Sequence, residues 1–204
     1  MAGTSAARDR LLELLREKAF ARRRVVLASG RESDFFIDCK QAVLTAEGHA
    51  LVGEVMLEAL RSLPPMAAVA GVELGGCPLA SAVALTSFQR AAPLDAIYVR
   101  KDAKDHGSKR LLEGNGHLPP GTTVALLEDV VTTGGSTLKA AAKLREAGYE
   151  VGGVVTLVDR LEGGREAIEA IEAGEQAEQT TSGGARASQL KLVAVYTRDD
   201  FMRD

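Results

Sequence analysis

The amino-acid sequence predicts an α/β fold in which helices flank a central, mainly parallel sheet. The first observation is a set of uninterrupted apolar segments, such as residues 67–71 and 150–158, which are typical of strands buried on both faces. The second is that these segments alternate with helix-like segments along the chain. The third is size, since 204 residues with 46% hydrophobic side chains can bury a large core without disulfides or metals. We expect a single domain over residues 1–204.

The N-terminal part is predicted to contain one helix followed by two short strands. A leucine-rich stripe lies on one side of the helix, which ends near Phe20. Residues 25–27 and 34–38 are predicted strands, and the Ser-Gly-Arg sequence between them favours a turn. A longer helix is expected over residues 46–62, because Thr45 can cap its first turn and the two prolines that follow it cannot continue it.

The remainder of the chain alternates strands with helices. Predicted strands cover residues 67–71, 95–99, 122–127, 150–158 and 190–196. Three helices are predicted between them: one begins at Pro78, a second ends near Ala147, and a third covers residues 165–173. Residues 100–120 break this pattern and form a long polar segment, which is typical of a lid or of a disordered loop. Residues 175–189 are poor in apolar side chains and are predicted to form a mobile surface loop.

The composition argues against several classes of protein. The formal charge of −3, from 25 basic and 28 acidic side chains, is unlike the basic surface of a nucleic-acid binder. No stretch approaches the roughly 18 apolar residues that span a bilayer, and the charged N-terminal segment is unlike a signal peptide. Cys39 and Cys77 form neither a CxxC nor a zinc pattern. We therefore expect a reduced, cytoplasmic protein with no nucleic-acid or membrane partner.

A phosphate-binding turn is the strongest functional signal. An apolar strand runs into Glu128 and Asp129, and a turn rich in Thr, Gly and Ser then opens a helix. The first N–H groups of a helix have no partner within it, and the helix dipole is positive there. Gly134 and Gly135 let the backbone approach a phosphate closely, and the surrounding hydroxyls can donate further hydrogen bonds. These hydroxyls belong to Thr132, Thr133, Ser136 and Thr137.

The turn is neither of the two common nucleotide motifs. It lacks the GK[ST] of a Walker A loop and the GxGxxG of a dinucleotide-binding turn. Two carboxylates beside a phosphate would repel it unless they bind something else, and ribose hydroxyls, or a metal ion on those hydroxyls, fit. In this arrangement residues 128–137 resemble the signature of type I phosphoribosyltransferases, which bind 5-phospho-α-D-ribosyl 1-diphosphate (PRPP) with Mg²⁺.

A cationic segment narrows the choice of family. Arg100, Lys101, Lys104 and His106 lie within seven residues, a density of positive charge that could neutralise a diphosphate leaving group. The sequence RKDAKDHG resembles the catalytic loop of orotate phosphoribosyltransferases. Further segments resemble the same family, namely LASGRESDFFIDCK, GVELGGCPLA, VDRLEGG and TRDDF. The resemblance covers nearly the whole chain, residues 175–189 excepted, and implies a type I phosphoribosyltransferase fold.

The resemblance implies a role for each matching residue. Residues 1–45 would form a hood over the base, and residues 100–120 a mobile catalytic loop. PRPP would be bound by Arg100, Lys101, Lys104, His106, Glu128, Asp129, Val130, Val131, Thr132, Thr133, Gly134, Gly135 and Ser136. Within this set the expected catalytic residues are Lys104, Lys101, His106 and Asp129. Orotate would be contacted by Thr132, Arg160, Phe35 and Phe36, although two aromatics on a short strand are also typical of a core.

The family also implies the reaction, its cofactor and its assembly. Ribose 5-phosphate would pass from PRPP to orotate, giving orotidine 5′-monophosphate and diphosphate in pyrimidine biosynthesis. Mg²⁺ is the implied cofactor, held mainly by substrate oxygens with no direct protein ligand. A homodimer is implied, in which loop residues reach the neighbouring subunit's site. Two alternatives remain: a phosphoribosyltransferase acting on a purine base, and a PRPP-binding regulator.

The sequence departs from the family pattern at two places. Ala28 stands where many relatives have lysine, and Leu74 and Gly75 stand where many have Tyr-Lys. Two PRPP contacts are therefore in doubt. We hypothesise that Lys40, or the backbone N–H groups of Gly75 and Gly76, compensate for them.

Overall fold

Six strands form the central sheet in a computed structural model of the chain, which describes residues 2–26, 32–102, 111–170 and 190–203. The strand order is β5-β4-β3-β6-β7-β8, and every pairing is parallel except that of β5 with β4. A separate antiparallel hairpin is formed by β1 and β2. The strands are β1 (Phe20–Val26), β2 (Glu32–Ile37), β3 (Ala68–Val72), β4 (Asp95–Val99), β5 (Leu112–Glu113), β6 (Thr123–Val131), β7 (Glu150–Asp159) and β8 (Leu192–Thr197).

Helices cover both faces of the central sheet. They are α1 (Ala2–Lys18), α2 (Lys40–Val43), α3 (Ala46–Leu60), α4 (Gly76–Gln89), α5 (Gly135–Glu146), α6 (164–170, where the described part stops) and α7 (Arg198–Met202). Successive side chains of β6 enter opposite layers of the core. Ala125 and Leu127 pack in the layer containing α1, α3 and α4, whereas Val124 and Leu126 pack in the layer containing α5.

The N-terminal hairpin is held to the rest of the molecule by an aromatic cluster. The Phe35 ring lies 5.1 Å from Phe20 and 5.7 Å from Phe201 of α7, measured between ring centroids. Arg198, also on α7, forms an ion pair of 2.5 Å with Asp34. The two ends of the chain are thus packed together beside the sheet.

The register of the parallel strands aligns their carboxyl ends. Gly71 of β3 lies opposite Tyr98 of β4 and Leu127 of β6. β6 then continues to Val131 while pairing only with β7, because β3 ends at Val72. Glu128 and Asp129 therefore lie where one neighbour of β6 has ended, which leaves that side of the strand open for a site.

The helix after β3 approaches the sheet very closely. A side chain at Gly71 would place its Cβ 2.2 Å from the carbonyl oxygen of Gly76, and one at Gly76 would place its Cβ 2.4 Å from the carbonyl oxygen of Leu127. These distances are far below van der Waals contact, so both positions require glycine. The approach brings the start of α4 against β6, next to the acidic pair.

The predicted fold class is confirmed, with differences in several elements. β6 extends to Val131 because its pairing with β7 continues past the point where the apolar pattern ends. β1 begins at Phe20 and α4 at Gly76, each earlier than predicted. The segment predicted as one long loop contains β5, which is only two residues long, and α2 and α7 are too short to give a helical period. Among the described residues, no helix has the length and apolarity to cross a membrane.

Candidate active site

A cavity of about 570 Å³ opens at the carboxyl ends of β3, β4 and β6. Four elements contribute to it: the segment after β3, the start of the cationic segment after β4, the acidic pair in β6 and one side of α5. The lining residues are Val72, Glu73, Val99, Arg100, Lys101, Asp102, Glu128, Asp129, Val130, Ser136, Lys139, Ala140 and Lys143. The cavity thus brings together both motifs that the sequence singled out, although they are far apart along the chain.

The phosphate-binding turn lies between β6 and α5. Gly134 precedes the helix with φ of 80°, a left-handed conformation that other residues adopt at a cost. A Cβ on Gly164, at the start of α6, would lie 2.4 Å from the carbonyl oxygen of Thr132, so α6 packs directly against the turn. Gly135 and Ser136 are exposed, with the first N–H groups of α5 available to an anion.

Glu128 is almost entirely buried, with 5% of its surface exposed. The hydroxyls of Ser136 and Thr137 each donate to its Oε2 atom at 3.3 Å. Burial, followed by the adjacent negative charge of Asp129, raises the pKa of the Glu128 carboxyl to about 8. This carboxyl consequently retains a proton near neutrality when no cation lies close to it.

Asp129 is less buried and is oriented by its surroundings. The N–H of Val130 donates to its Oδ1 atom at 3.0 Å, and the thiol of Cys39 lies 3.9 Å from its carbonyl oxygen. A Cβ at Gly75 would lie 2.0 Å from the Asp129 Oδ2 atom, so a larger residue at position 75 would displace this carboxylate. The departure from the family pattern at Gly75 is therefore coupled to the position of Asp129.

The root of the cationic segment belongs to the cavity, and its middle lies outside the described residues. Arg100 is half-buried and its guanidinium lies 3.7 Å from the Glu113 carboxylate. Lys101 is exposed at the cavity mouth. Lys104 and His106 fall within residues 103–110, a part of the expected catalytic loop that the structure does not describe. Ala28 is also outside the described residues.

The predicted orotate-binding residues lie at the end of β7 and in the hairpin. Arg160 is 8% exposed, forms an ion pair of 2.8 Å with Glu162 and donates to the Phe35 carbonyl oxygen at 3.3 Å. The Phe35 side chain is fully buried in the aromatic cluster, which leaves it no surface for a base in this conformation. Phe36 is half-buried, with the Arg23 guanidinium 3.8 Å from its ring centroid. Thr132 follows β6 directly.

The acidic pair is the part of the cavity suited to a divalent cation. Carboxylate oxygens suit Mg²⁺, which also keeps water and substrate oxygens as ligands. The described residues contain no group of three or more His, Cys, Asp or Glu side chains arranged to hold a metal ion. Glu128 and Asp129 fit an ion that is held mainly by a substrate, since two carboxylates supply only some of the oxygen ligands that such an ion takes.

Comparison with known proteins identifies the family. The phosphoribosyl transferase domain model matches residues 51–178. The orotate phosphoribosyltransferase of Sorangium cellulosum (strain So ce56) is 63% identical over 203 residues, covering 100% of this chain and 97% of that protein. The chain belongs to the orotate phosphoribosyltransferase family. The family predicted from the motifs is thereby confirmed.

Two further relatives extend this similarity. The orotate phosphoribosyltransferase of Bradyrhizobium sp. (strain ORS 278) is 44% identical over 168 residues, covering 81% of this chain and 90% of that protein. The crystal structure of the Mycobacterium tuberculosis H37Rv orotate phosphoribosyltransferase in complex with PRPP has a TM-score of 0.72 at 33% identity. The alignment covers 97% of this chain and 99% of that one.

Sequence reasoning missed several residues that shape this orotate phosphoribosyltransferase site. Glu73 and Lys143 line the cavity, and Glu162 pairs with Arg160. Glu162 could have been found from the sequence, because it is only two positions from Arg160. Glu73 and Lys143 give no local signal, since each contacts a backbone segment 28 to 43 residues away.

Replacing Glu128 by Gln should stabilise the ligand-free protein at alkaline pH. The unfolded carboxyl ionises near its ordinary pKa of 4.5, whereas the folded one ionises near 8. Stability should therefore fall as pH rises through that interval in the wild type, and less so in Glu128→Gln. We expect a melting temperature on the order of 5 °C higher for the variant at pH 8 and nearly equal values at pH 4.5.

Thermal melts between pH 4.5 and 8.5 measure this difference, with Glu166→Gln, an exposed glutamate of α6, as the control. If the difference in melting temperature between wild type and Glu128→Gln stays constant across the pH range, the raised pKa of Glu128 is contradicted.

Proposed function

We propose that the cavity at the carboxyl ends of β3, β4 and β6 is where this orotate phosphoribosyltransferase transfers ribose 5-phosphate from PRPP to orotate. One observation carries the proposal: Ser136 at the start of α5, the acidic pair and the root of the cationic segment all line one cavity. PRPP has three parts, each of which has a matching feature in the protein. The start of α5 can bind the 5-phosphate, the carboxylates of the acidic pair can bind the ribose hydroxyls, and the cationic segment can bind the diphosphate.

The phosphate-binding turn would hold the 5-phosphate. The first N–H groups of α5, together with the hydroxyls of Thr132, Thr133 and Ser136, would donate hydrogen bonds to it. Glu128 and Asp129 would accept hydrogen bonds from the ribose hydroxyls. The Ser136 hydroxyl, which donates to Glu128 in the ligand-free protein, would be released to the phosphate when those ribose hydroxyls replace it.

Catalysis would rest on charge at the departing diphosphate and on orientation. Breaking the bond between ribose C1′ and the diphosphate oxygen would generate an oxocarbenium-like cation. N1 of orotate would attack C1′ from the opposite face, and the proton of N1 would be released to solvent as the new bond forms. Arg100 and Lys101, together with Lys104 and His106, would stabilise the negative charge that develops on the diphosphate. Mg²⁺, when bound, supplies further positive charge to the diphosphate oxygens. The catalytic loop would exclude water from the cation.

Orotate recognition would depend on Arg160. A planar guanidinium matches a carboxylate through two parallel hydrogen bonds, and Glu162 holds this guanidinium at 2.8 Å. Phe36, in the hairpin that we propose as the hood, has the more accessible ring of the two predicted aromatics. The need for a carboxylate partner at Arg160 disfavours a purine base, which has no carboxylate.

Orotate consumption tests the proposal directly. Purified protein with orotate, PRPP and Mg²⁺ should lower the orotate absorbance, and omission of either PRPP or Mg²⁺ should abolish the change. Hypoxanthine, adenine and uracil serve as competing bases, and none should be converted. Turnover of a purine would favour the purine-type alternative, whereas tight PRPP binding without turnover of any base would favour a regulator.

Lys40 is proposed as the cation that compensates for the missing lysines. Its ammonium pairs with the Asp38 carboxylate at 2.6 Å, and this hydrogen bond, aided by the charge of Asp129, raises the pKa of Lys40. Lys40 follows Cys39, whose thiol lies 3.9 Å from the Asp129 carbonyl oxygen, which supports a position of the ammonium close to the acidic pair. The Gly75 backbone supplies no charge there.

Lys40→Ala should therefore raise the KM for PRPP by roughly tenfold, the size expected for one charge-assisted hydrogen bond, and change the KM for orotate much less. Steady-state kinetics measure both constants, with the exposed lysine variant Lys18→Ala as control. An unchanged KM for PRPP in Lys40→Ala would instead favour the N–H groups of Gly75 and Gly76.

A homodimer is proposed as the active assembly, with catalytic-loop residues shared between subunits. Support comes from the outer side of α4, where Phe88 and Leu85 are 73% and 56% exposed, because large exposed apolar side chains in one patch are typical of an interface. Sedimentation velocity should give a dimer for the wild type and a monomer for Phe88→Glu. A fully active monomer at assay concentration would contradict this assembly. The cytoplasmic location expected from the sequence stays a prediction.

A further inference from the structure

One lysine holds two consecutive backbone carbonyls at the root of the cationic segment. The ammonium of Lys143 donates to the carbonyl oxygen of Arg100 at 2.8 Å and to that of Lys101 at 2.7 Å. Lys143 lies in the last turn of α5, where a lysine often binds the free carbonyls of its own helix. Here both acceptors belong to a different element, so the contact joins α5 to the chain leaving β4.

A second side chain, that of Glu73 after β3, holds the same segment. The Oε2 atom of Glu73 accepts the N–H of Lys101 at 2.9 Å, and the N–H of Glu73 donates to the Val99 carbonyl oxygen at 2.9 Å. The N–H of Arg100 is bonded in turn to the carbonyl oxygen of Leu111 at 2.8 Å. The N–H and carbonyl groups of both residues 100 and 101 are therefore hydrogen-bonded. This fixed backbone determines where their two side chains start.

α5 connects this contact to the phosphate-binding turn. The helix begins at Gly135, where its N–H groups are free, and Lys143 follows eight residues later. At a rise of about 1.5 Å per residue the two points are roughly 12 Å apart along one helix. The same helix thus presents the anion-binding N–H groups at its start and holds the backbone of Arg100 and Lys101 near its end.

We propose that Lys143 is a positioning residue. By binding the backbone carbonyls of Arg100 and Lys101, it sets the distance between these two cations and the phosphate-binding turn. The inference rests on the proposed function of the cavity. Lys143 acts through Arg100 and Lys101, because its ammonium is engaged by their carbonyls. Glu73 completes the clamp, defined as Lys143 and Glu73 together with the backbone of residues 100–101.

Lys143→Met tests the proposal, because methionine keeps the aliphatic stem and removes the donors. The expected result is a fall in kcat on the order of tenfold with a raised KM for PRPP and a nearly unchanged KM for orotate. Lys143→Arg, which can bridge two carbonyls, should recover most of the activity. Lys191→Met is the matched control, since Lys191 also donates to a backbone carbonyl, that of Ser62 at 3.2 Å, at the opposite end of the strands, and it should behave as the wild type.

A double-mutant cycle with Glu73→Ala separates positioning from direct substrate contact. If both side chains act by fixing the same backbone, the loss in the double variant should be smaller than the product of the single losses. Amide hydrogen exchange without substrate should also become faster at Arg100 and Lys101 in Lys143→Met. If Lys143→Met folds poorly, Glu73→Ala provides the same kinetic and exchange readouts for the other side chain that binds this backbone.

Three results would overturn the inference: wild-type kinetics in Lys143→Met, a lower melting temperature as its sole effect, or multiplicative losses in the cycle together with unchanged exchange. The multiplicative result would indicate direct contact with the diphosphate. A wild-type protein that fails to convert orotate would contradict the proposed function instead, so the two failures are distinguishable.

Discussion

The parallel pairing of β6 with β3 determines where each part of the candidate active site lies. β3 ends at Val72, and beyond Leu127 β6 pairs with β7 alone among the described residues. The acidic pair occupies this overhang, so one of its sides faces open space. The close approach of α4 depends on Gly71 and Gly76. A register shift of one residue would reverse the faces of β6 and bury Asp129 in place of Glu128.

α5 links the end of β6 to the cationic segment. A helix has few internal degrees of freedom, so its two ends move together, and Lys143 is bonded to the backbone that carries Arg100 and Lys101. The 5-phosphate and diphosphate groups of PRPP are also a fixed number of bonds apart. Under the proposed function, a match between these two distances would be a form of preorganisation, because the protein's cations would need little further ordering when the substrate binds.

The motifs allowed much of the site to be predicted, because each is local in sequence. Residues 128–137 combine a strand end, a turn and a helix start in ten positions. The sequence did not indicate that β6 would include Glu128 and Asp129, since strand periodicity is lost at charged residues while pairing with β7 continues. Lys143 resembled any exposed helix lysine, because its partners lie more than forty positions away. Phe35 shows that one residue type fits both a base contact and a core, and the aromatic cluster decides its packing in this conformation.

The central claim is that a single cavity binds all of PRPP, and a crystal structure with PRPP and Mg²⁺ tests it most directly. The account predicts the 5-phosphate against the N–H groups at the start of α5, the ribose hydroxyls at Glu128 and Asp129, and the diphosphate beside Arg100 and Lys101. Density for PRPP elsewhere on the protein, or a 5-phosphate bound at the cationic segment in the reverse orientation, would contradict it.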